Sequence, residues 1–404
     1  MVGTMAKIDD SIKKKVPELR FKGFTDDWEQ RKLTEIVNRV NKSSNSDVLP
    51  KVEFEDIVSG EGRLNKDISS KFDSRKGTLF EPENILYGKL RPYLKNWLFS
   101  DFEGVALGDF WVFEATDVSV PSFDYYLIQS DNYQKVANDT SGTKMPRSDW
   151  KNVSSTDFAI PSKDEQKQIG AFFKQLDNTI VLHQRRLDLL KEQKKGYLQK
   201  MFPKNGAKVP ELRFAGFTDD WEERKLRDLL NKNSEKNKNL SVINVESVSN
   251  KTGFTKQTDQ FEDYSVASAD LSNYYVIREK QFAYNPSRIN VGSIAYKDLG
   301  DEISVVSPLY VSFSTKKVLN DGFFWNWFKT ASFDAQRQRL SEGGVRDTLS
   351  FNQLSEMNTM FPTYPEQEKI ASFFKQLDDT IVLHQRKLDL LKEQKKGFLQ
   401  KMFV

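Results

Sequence analysis

Residues 181–196 read VLHQRRLDLLKEQKKG, and residues 382–397 read VLHQRKLDLLKEQKKG, differing only at Arg186 and Lys387. The two copies hold the only two histidines of the chain, His183 and His384. Working outward, the match extends over Glu165–Phe202 and Glu366–Phe403, where 31 of 38 positions are identical. Pro and early carboxylates precede each copy ("IPSKDEQ", "TYPEQE"), which suits a helix start. Apolar residues then recur with 4-3 spacing. In the first copy the seam runs through Leu176, Ile180, His183, Leu187 and Leu190. In the second it runs through Leu377, Ile381, His384, Leu388 and Leu391. A seam held for over four heptads predicts a coiled coil, with each helix roughly 55 Å long. Two such seams in one chain bury each other most simply as an antiparallel pair. His183 and His384 read as polar register residues on that seam, since no Ser, Cys or further His lies nearby to make a general base or a ligand set of them. Lys194 and Lys395, on the same seam, are expected to snorkel toward solvent.

A second repeat opens each half. "VPELRFKGFTDDWEQRKLTE" starts at Val16 and "VPELRFAGFTDDWEERKLRD" at Val209, with 16 of 20 positions identical. The stretches between the repeats, roughly 36–160 and 229–361, show no comparable match. Constant flanks around unlike middles describe one frame carrying two modules with different tasks. The modules alternate runs rich in Tyr, Phe and Val with turn residues, for example "NILYGKLRPYLKNWLF" and "QFAYNPSRINVGSIAY", and contain segments that suit short helices. The expected class is α+β: two mixed α/β modules joined by two long helices in an antiparallel coiled coil, with an internal pseudo-two-fold repeat.

Composition narrows the chemistry. The 404 residues include 30 Phe, enough aromatic surface to bury a sizeable core, and no Cys, which excludes disulfides and thiolate metal sites. Two histidines cannot supply a site of several His ligands, and no metal is expected. Residues 1–15 read as a flexible tail without the apolar core of a signal peptide, and no apolar run is long enough to span a membrane. These features fit a soluble cytoplasmic protein. No phosphate-binding G-x-x-x-x-G-K-[ST] loop, dinucleotide G-x-G-x-x-G, G-x-S-x-G elbow or H-E-x-x-H occurs. "YNPSR" at Tyr284 lacks the second Pro and the aromatic residue of a base-methylation motif. The reading is therefore a non-catalytic chain with no cofactor of its own.

The remaining signal is basic and local. Residues 36–160 carry 15 basic and 19 acidic groups, and residues 229–361 carry 15 of each, so neither module is basic overall. Yet "YGKLRPYLK" places Lys89 and Arg91 beside Tyr93, and "SGTKMPRSDW" places Lys144 and Arg147 in a Gly/Pro loop. In the second half "YNPSRINVGS" places Tyr284, Arg288 and Asn290, and "SEGGVRDTLS" places Arg346. Each module thus has one patch mid-block and one shortly before its long helix. Arg and Asn on such loops suit base edges in the major groove, and the other groups suit phosphates. A protein-interaction scaffold on a coiled coil, without sequence-specific DNA binding, is the alternative.

The openings "VPELRF.GFTDDWE..KL" and the closings "P...EQ.KI..FF..LD..I.....L..LK.QKKG.LQ.MF" resemble the specificity subunit of type I restriction–modification enzymes over nearly the whole chain. The resemblance implies target recognition domains at 16–163 and 205–364 and coiled-coil helices at 164–204 and 365–404. Each recognition domain would read one half of a split sequence in double-stranded DNA. The helices would act as a spacer and bind two modification (methyltransferase) subunits, with Trp28 and Trp221 as candidates for framing and partner contact. Adenine methylation with S-adenosylmethionine, and ATP- and Mg-dependent translocation and cleavage by restriction subunits, would belong to those partners.

Overall fold

The computed structural model describes residues 16–404 except 72–73, 141–143, 205, 257–269 and 341–347. The chain divides into two units: unit 1 is the chain up to Arg185 together with Arg386–Val404, and unit 2 is Arg186–Gln385. Each unit therefore owns the first part of one long helix and the last part of the other.

The two modules, unlike in sequence, are built on the same sheet. In unit 1, strands β1 (Val37–Val40), β2 (Ile85–Gly88), β3 (Trp97–Phe99) and β4 (Phe110–Ala115) form an antiparallel sheet in the order β1-β4-β2-β3. In unit 2, β5 (Leu230–Lys232), β6 (Gln281–Tyr284), β7 (Ile294–Tyr296) and β8 (Val311–Thr315) repeat it as β5-β8-β6-β7. Registers agree as well: Ile85 faces Phe113 as Phe282 faces Phe313. The residues differ because each inner strand needs only bulky apolar side chains on its buried face, and many combinations meet that need. The accessory strands diverge. Unit 1 adds a second four-stranded sheet, and unit 2 adds the hairpin Glu246–Ser249/Gly253–Lys256 and the pair Tyr275–Ile277/Ser304–Val306.

Short helices α1 (Pro121–Leu127) and α3 (Asp321–Trp327) precede the long helices α2 (Lys163–Lys200) and α4 (Tyr364–Met402). In unit 1 the start of α2 packs against the end of α4, with Phe172 and Phe398 at 5.1 Å and Asp177 and Lys395 at 2.8 Å. In unit 2 the end of α2 packs against the start of α4, with Tyr197 and Phe373 at 5.0 Å. Rising numbers on one helix meet falling numbers on the other, so both contacts are antiparallel. Leu187, Leu190, Leu388 and Leu391 are buried, while Leu176, Ile180, His183, Leu377, Ile381 and His384 are half-buried.

The repeated blocks are alike because they touch one another. Arg20 of the opening motif forks onto Glu165 in the first turn of α2, at 2.7 and 2.8 Å, and Arg213 forks onto Glu366 of α4, at 2.7 Å for both bonds. Gln166 donates to the carbonyls of Val118 and Pro161, as Gln367 does to those of Val318 and Pro362. Leu19 N–H donates to the Lys401 carbonyl, as Leu212 N–H does to that of Lys200. Trp28 packs edge-on against Phe403, and Trp221 against Phe202. Both indoles are 2 % exposed, which corrects the expectation of partner contact: they frame each unit and present no surface.

Departures within the repeat are compensated. Gly170 on α2 lies against α1, where a Cβ would meet Ser122 Oγ at 2.2 Å and Ser122 Cβ at 2.9 Å. At the same place in unit 2 the long helix carries Ala371, and the short helix carries Gly322 in its turn. Each unit thus keeps one glycine at the crossing, on opposite partners.

Candidate nucleic-acid interface

Strand β2 runs directly into a basic turn, Lys89–Lys95, centred on the 3-10 helix Pro92–Leu94. Arg91 caps its start and Lys95 its end, both in the left-handed region (φ 48° and 54°). Backbone bonds fix the turn to the loop before α2. Arg91 N–H donates to the Pro146 carbonyl at 2.7 Å, and Ser148 N–H donates to the Lys89 carbonyl at 2.9 Å. The two basic patches of the first module are therefore one surface. Asp109, in the turn before β4, holds it together: its carboxylate lies 3.1 Å from Arg147 and 3.9 Å from Lys89. Arg91, Lys144 and Arg147 are exposed, Tyr93 is 56 % exposed, and Lys89 is half-buried. Beneath the turn Tyr87 stacks on Trp111, and its hydroxyl is pushed up to about 12 by burial.

Unit 2 builds the same device from other residues. Strand β6 runs into the turn Asn285–Gly292, centred on the 3-10 helix Ile289–Val291, with Arg288 at its start and Gly292 in the left-handed region at its end. Leu349 N–H donates to the Pro286 carbonyl at 3.0 Å, so here too the mid-block turn is tied to the segment approaching the long helix. Arg288 and Asn290 are exposed. Arg346 lies outside the described residues. Tyr284 is a correction. It is 0 % exposed and packs on Phe313 in the core, and burial raises its hydroxyl far above the ordinary tyrosine range. By sheet register it is the counterpart of Tyr87, a support under the turn. Arg91 and Arg288 then occupy equivalent places, each four residues beyond its tyrosine.

Asp109 was not singled out from the sequence, because a lone Asp in a turn carries no signal of what it will face. Lys194 and Lys395 also differ from expectation. Lys194 pairs with Asp378, and Lys395 is buried against Asp177 and Gln129. No group of His, Asp and Glu suited to a metal ion occurs among the described residues. Nor is any of their helices long and apolar enough to cross a membrane.

A family model described as "Type I restriction modification DNA specificity domain" matches residues 25–192 and again 218–393. The chain is 22 % identical over 297 residues to the type I restriction enzyme MjaVIII specificity subunit of Methanocaldococcus jannaschii, covering 68 % of each. Among solved structures it resembles the type I restriction–modification S subunit from M. genitalium, with a TM-score of 0.62 at 13 % identity, covering 96 % of this chain and 99 % of that one. A chain from a study of complex assembly and conformational transition of the type I R-M system aligns with a TM-score of 0.52 at 16 % identity, covering 92 % and 96 %.

Proposed function

Because this chain belongs to the type I restriction–modification DNA specificity family, we propose that its two basic turns each read one half of a split target in double-stranded DNA. Arg91, with Tyr93, Lys89, Lys144 and Arg147, serves the half read by unit 1. Arg288 and Asn290 serve the half read by unit 2, with Arg346 a further candidate. A guanidinium at the tip of a fixed turn suits bidentate contact with guanine O6 and N7, and Asn suits adenine N6 and N7. The observation that carries this reading is the equivalence of the two turns: the same sheet, the same 3-10 helix and the same arginine place, with different side chains around them. Equivalent position with unlike chemistry is what two readers of two different half-sites require.

We place adenine methylation from S-adenosylmethionine in two modification subunits, and ATP- and Mg-dependent cleavage in restriction subunits, held on the frame of long helices, which also spaces the readers. A cytoplasmic location follows from that assignment. The test is to map adenine methylation in cells carrying this chain with its modification subunits, before and after exchanging residues 36–160 for the same block of a relative. One half of a split motif should change and the other stay. A change in both halves, or no split motif at all, would sink the reading and favour a scaffold without sequence-specific DNA binding.

A further inference from the structure

The repeat places the same three lysines in a cavity of each unit. In unit 2 a cavity of about 450 Å³ is lined by Lys191, Lys194, Lys195 and Lys329, with Asp378 the one acidic residue on its wall. In unit 1 a cavity of about 370 Å³ is lined by their repeat counterparts Lys392, Lys395 and Lys396, with Asp177 where unit 2 has Asp378; Arg63, Glu61 and Asp131 line it as well. Gln129, two residues beyond α1, takes the place of Lys329, two residues beyond α3. The lysines stand at i, i+3 and i+4, so they share one helix face.

The unit 2 cavity is short of negative charge. Four lysines surround one aspartate, and that aspartate already pairs with Lys194. Lys329 registers the imbalance. Although its side chain as a whole is exposed, loss of water around its ammonium and the neighbouring Lys194 charge push it down to about 7, with Asp378 opposing. In unit 1 Lys392 is met by Glu61 at 2.9 Å and Lys395 by Asp177 at 2.8 Å, while Lys396 is exposed. The Lys89–Lys95 turn reaches this cavity too: Lys95 lines it, and its carbonyl accepts from Gly60 N–H at 2.9 Å.

We propose that each lysine cavity holds a backbone phosphate of the DNA, one on each half of the target. This rests on the DNA-reading function and divides its labour. The lysines are the same in both units while the turns differ. A phosphate is the same at every base pair, so contacts from the repeated frame position the duplex and the unlike turns specify it. Acidic residues of a partner protein are the competing occupant. Lys95, shared between the unit 1 cavity and the reading turn, favours the duplex.

The experiment uses the complex of this chain with its modification subunits. Affinity is measured against salt concentration for two duplexes, one carrying the mapped target and one a shuffled sequence. The wild-type complex is measured first. If it does not discriminate the two, the DNA-reading function itself fails, whatever the lysines do. The variant Lys195→Ala/Lys396→Ala removes two exposed lysines, one from each cavity. Each lost phosphate contact flattens the slope of log affinity against log salt by about 0.9, so the pair should lower it by about 2. Both duplexes should weaken by the same factor, leaving their ratio unchanged. Lys329→Gln, which copies unit 1, should lower the slope by about 1 alone. Unchanged slopes overturn the proposal. So does dissociation of the modification subunits in sedimentation at an unchanged slope, which would give the cavities to a protein partner. A selective loss on the target duplex overturns it as well, because the lysines would then be reading bases.

Discussion

Replacing Arg20 by Ala isolates the junction between the two repeated motifs. The Glu165 side chain is 1 % exposed and accepts two guanidinium hydrogen bonds, from Nε at 2.7 Å and Nη2 at 2.8 Å. The variant leaves that carboxylate in a dry place without its cation. Breaking a buried pair from one side costs about 3–5 kcal/mol, because the remaining charge keeps its desolvation penalty. Glu165 lies in the first turn of α2, where exposed helix N–H groups recover about 1 kcal/mol for an anion. The expected loss is therefore about 2–4 kcal/mol. At about 2–4 °C per kcal/mol for a unit of this size, the melting midpoint of unit 1 falls by roughly 4–16 °C. Arg20→Ala/Glu165→Gln removes the stranded charge and should recover more than half of the loss. Arg213→Ala should do to unit 2 what Arg20→Ala does to unit 1. Calorimetry resolves this if the units melt separately, and hydrogen exchange in peptides around Trp28 and Trp221 assigns each transition. A loss below about 1 kcal/mol for Arg20→Ala, which is the range of an exposed pair, would refute the reasoning. So would failure of the double variant to recover stability.

Arg91→Ala should cost about 1–3 kcal/mol of discrimination and relax one half of the methylated motif, while Arg288→Ala relaxes the other; methylation mapping reads both. Gly170→Ala should destabilise unit 1 through its clash with Ser122, and Ser122→Gly should rescue it by copying unit 2. The coupling between the two substitutions should be about 1–3 kcal/mol by a double-mutant cycle, and additive effects would count against the compensation. Asp124 is fully buried, and burial raises its pKa well above the ordinary carboxylate range, with Ser119 Oγ–H donating to one oxygen. A raised folded-state pKa means that the folded unit holds the proton longer. Stability is then undiminished below pH of about 4 and falls by about 1.4 kcal/mol per unit as pH rises from there toward the folded value. Asp124→Asn should escape that decline, so its advantage in urea denaturation grows with pH; an advantage independent of pH would exclude this account.

The long helices were legible because a heptad seam is local: Leu187, Leu190, Leu388 and Leu391 announce their burial through spacing alone. The shared sheet was not legible. Ile85 and Phe282 do the same work at the same register, but identity is not what the position selects. Nor was the clamp, although Arg20 and Glu165 both lie in repeated motifs, since pairing across 145 residues leaves no trace in either neighbourhood. Tyr284 misled because an aromatic beside Arg and Asn resembles a surface patch. The alternation of Phe282 and Tyr284 along the strand was the better guide, as period two carries both to the buried face. The union of the Lys89–Tyr93 and Lys144–Arg147 patches depends on backbone bonds between distant segments, which composition cannot foresee.

The closure of unit 1 by Arg386–Val404 has a consequence for the order of events at the ribosome. Trp28 cannot meet Phe403, nor Leu19 the Lys401 carbonyl, until some 370 further residues have been made. Unit 2 needs nothing beyond Gln385, so the half encoded second can finish folding first. The first reader emerges early and waits with its aromatic core open, a loop closure that is slow for entropic reasons. A nonsense codon shortly after Gln385 would therefore strip the reader at the opposite end of the message and spare the nearer one. Synthesis through Phe403 is thus a condition for closing the first module.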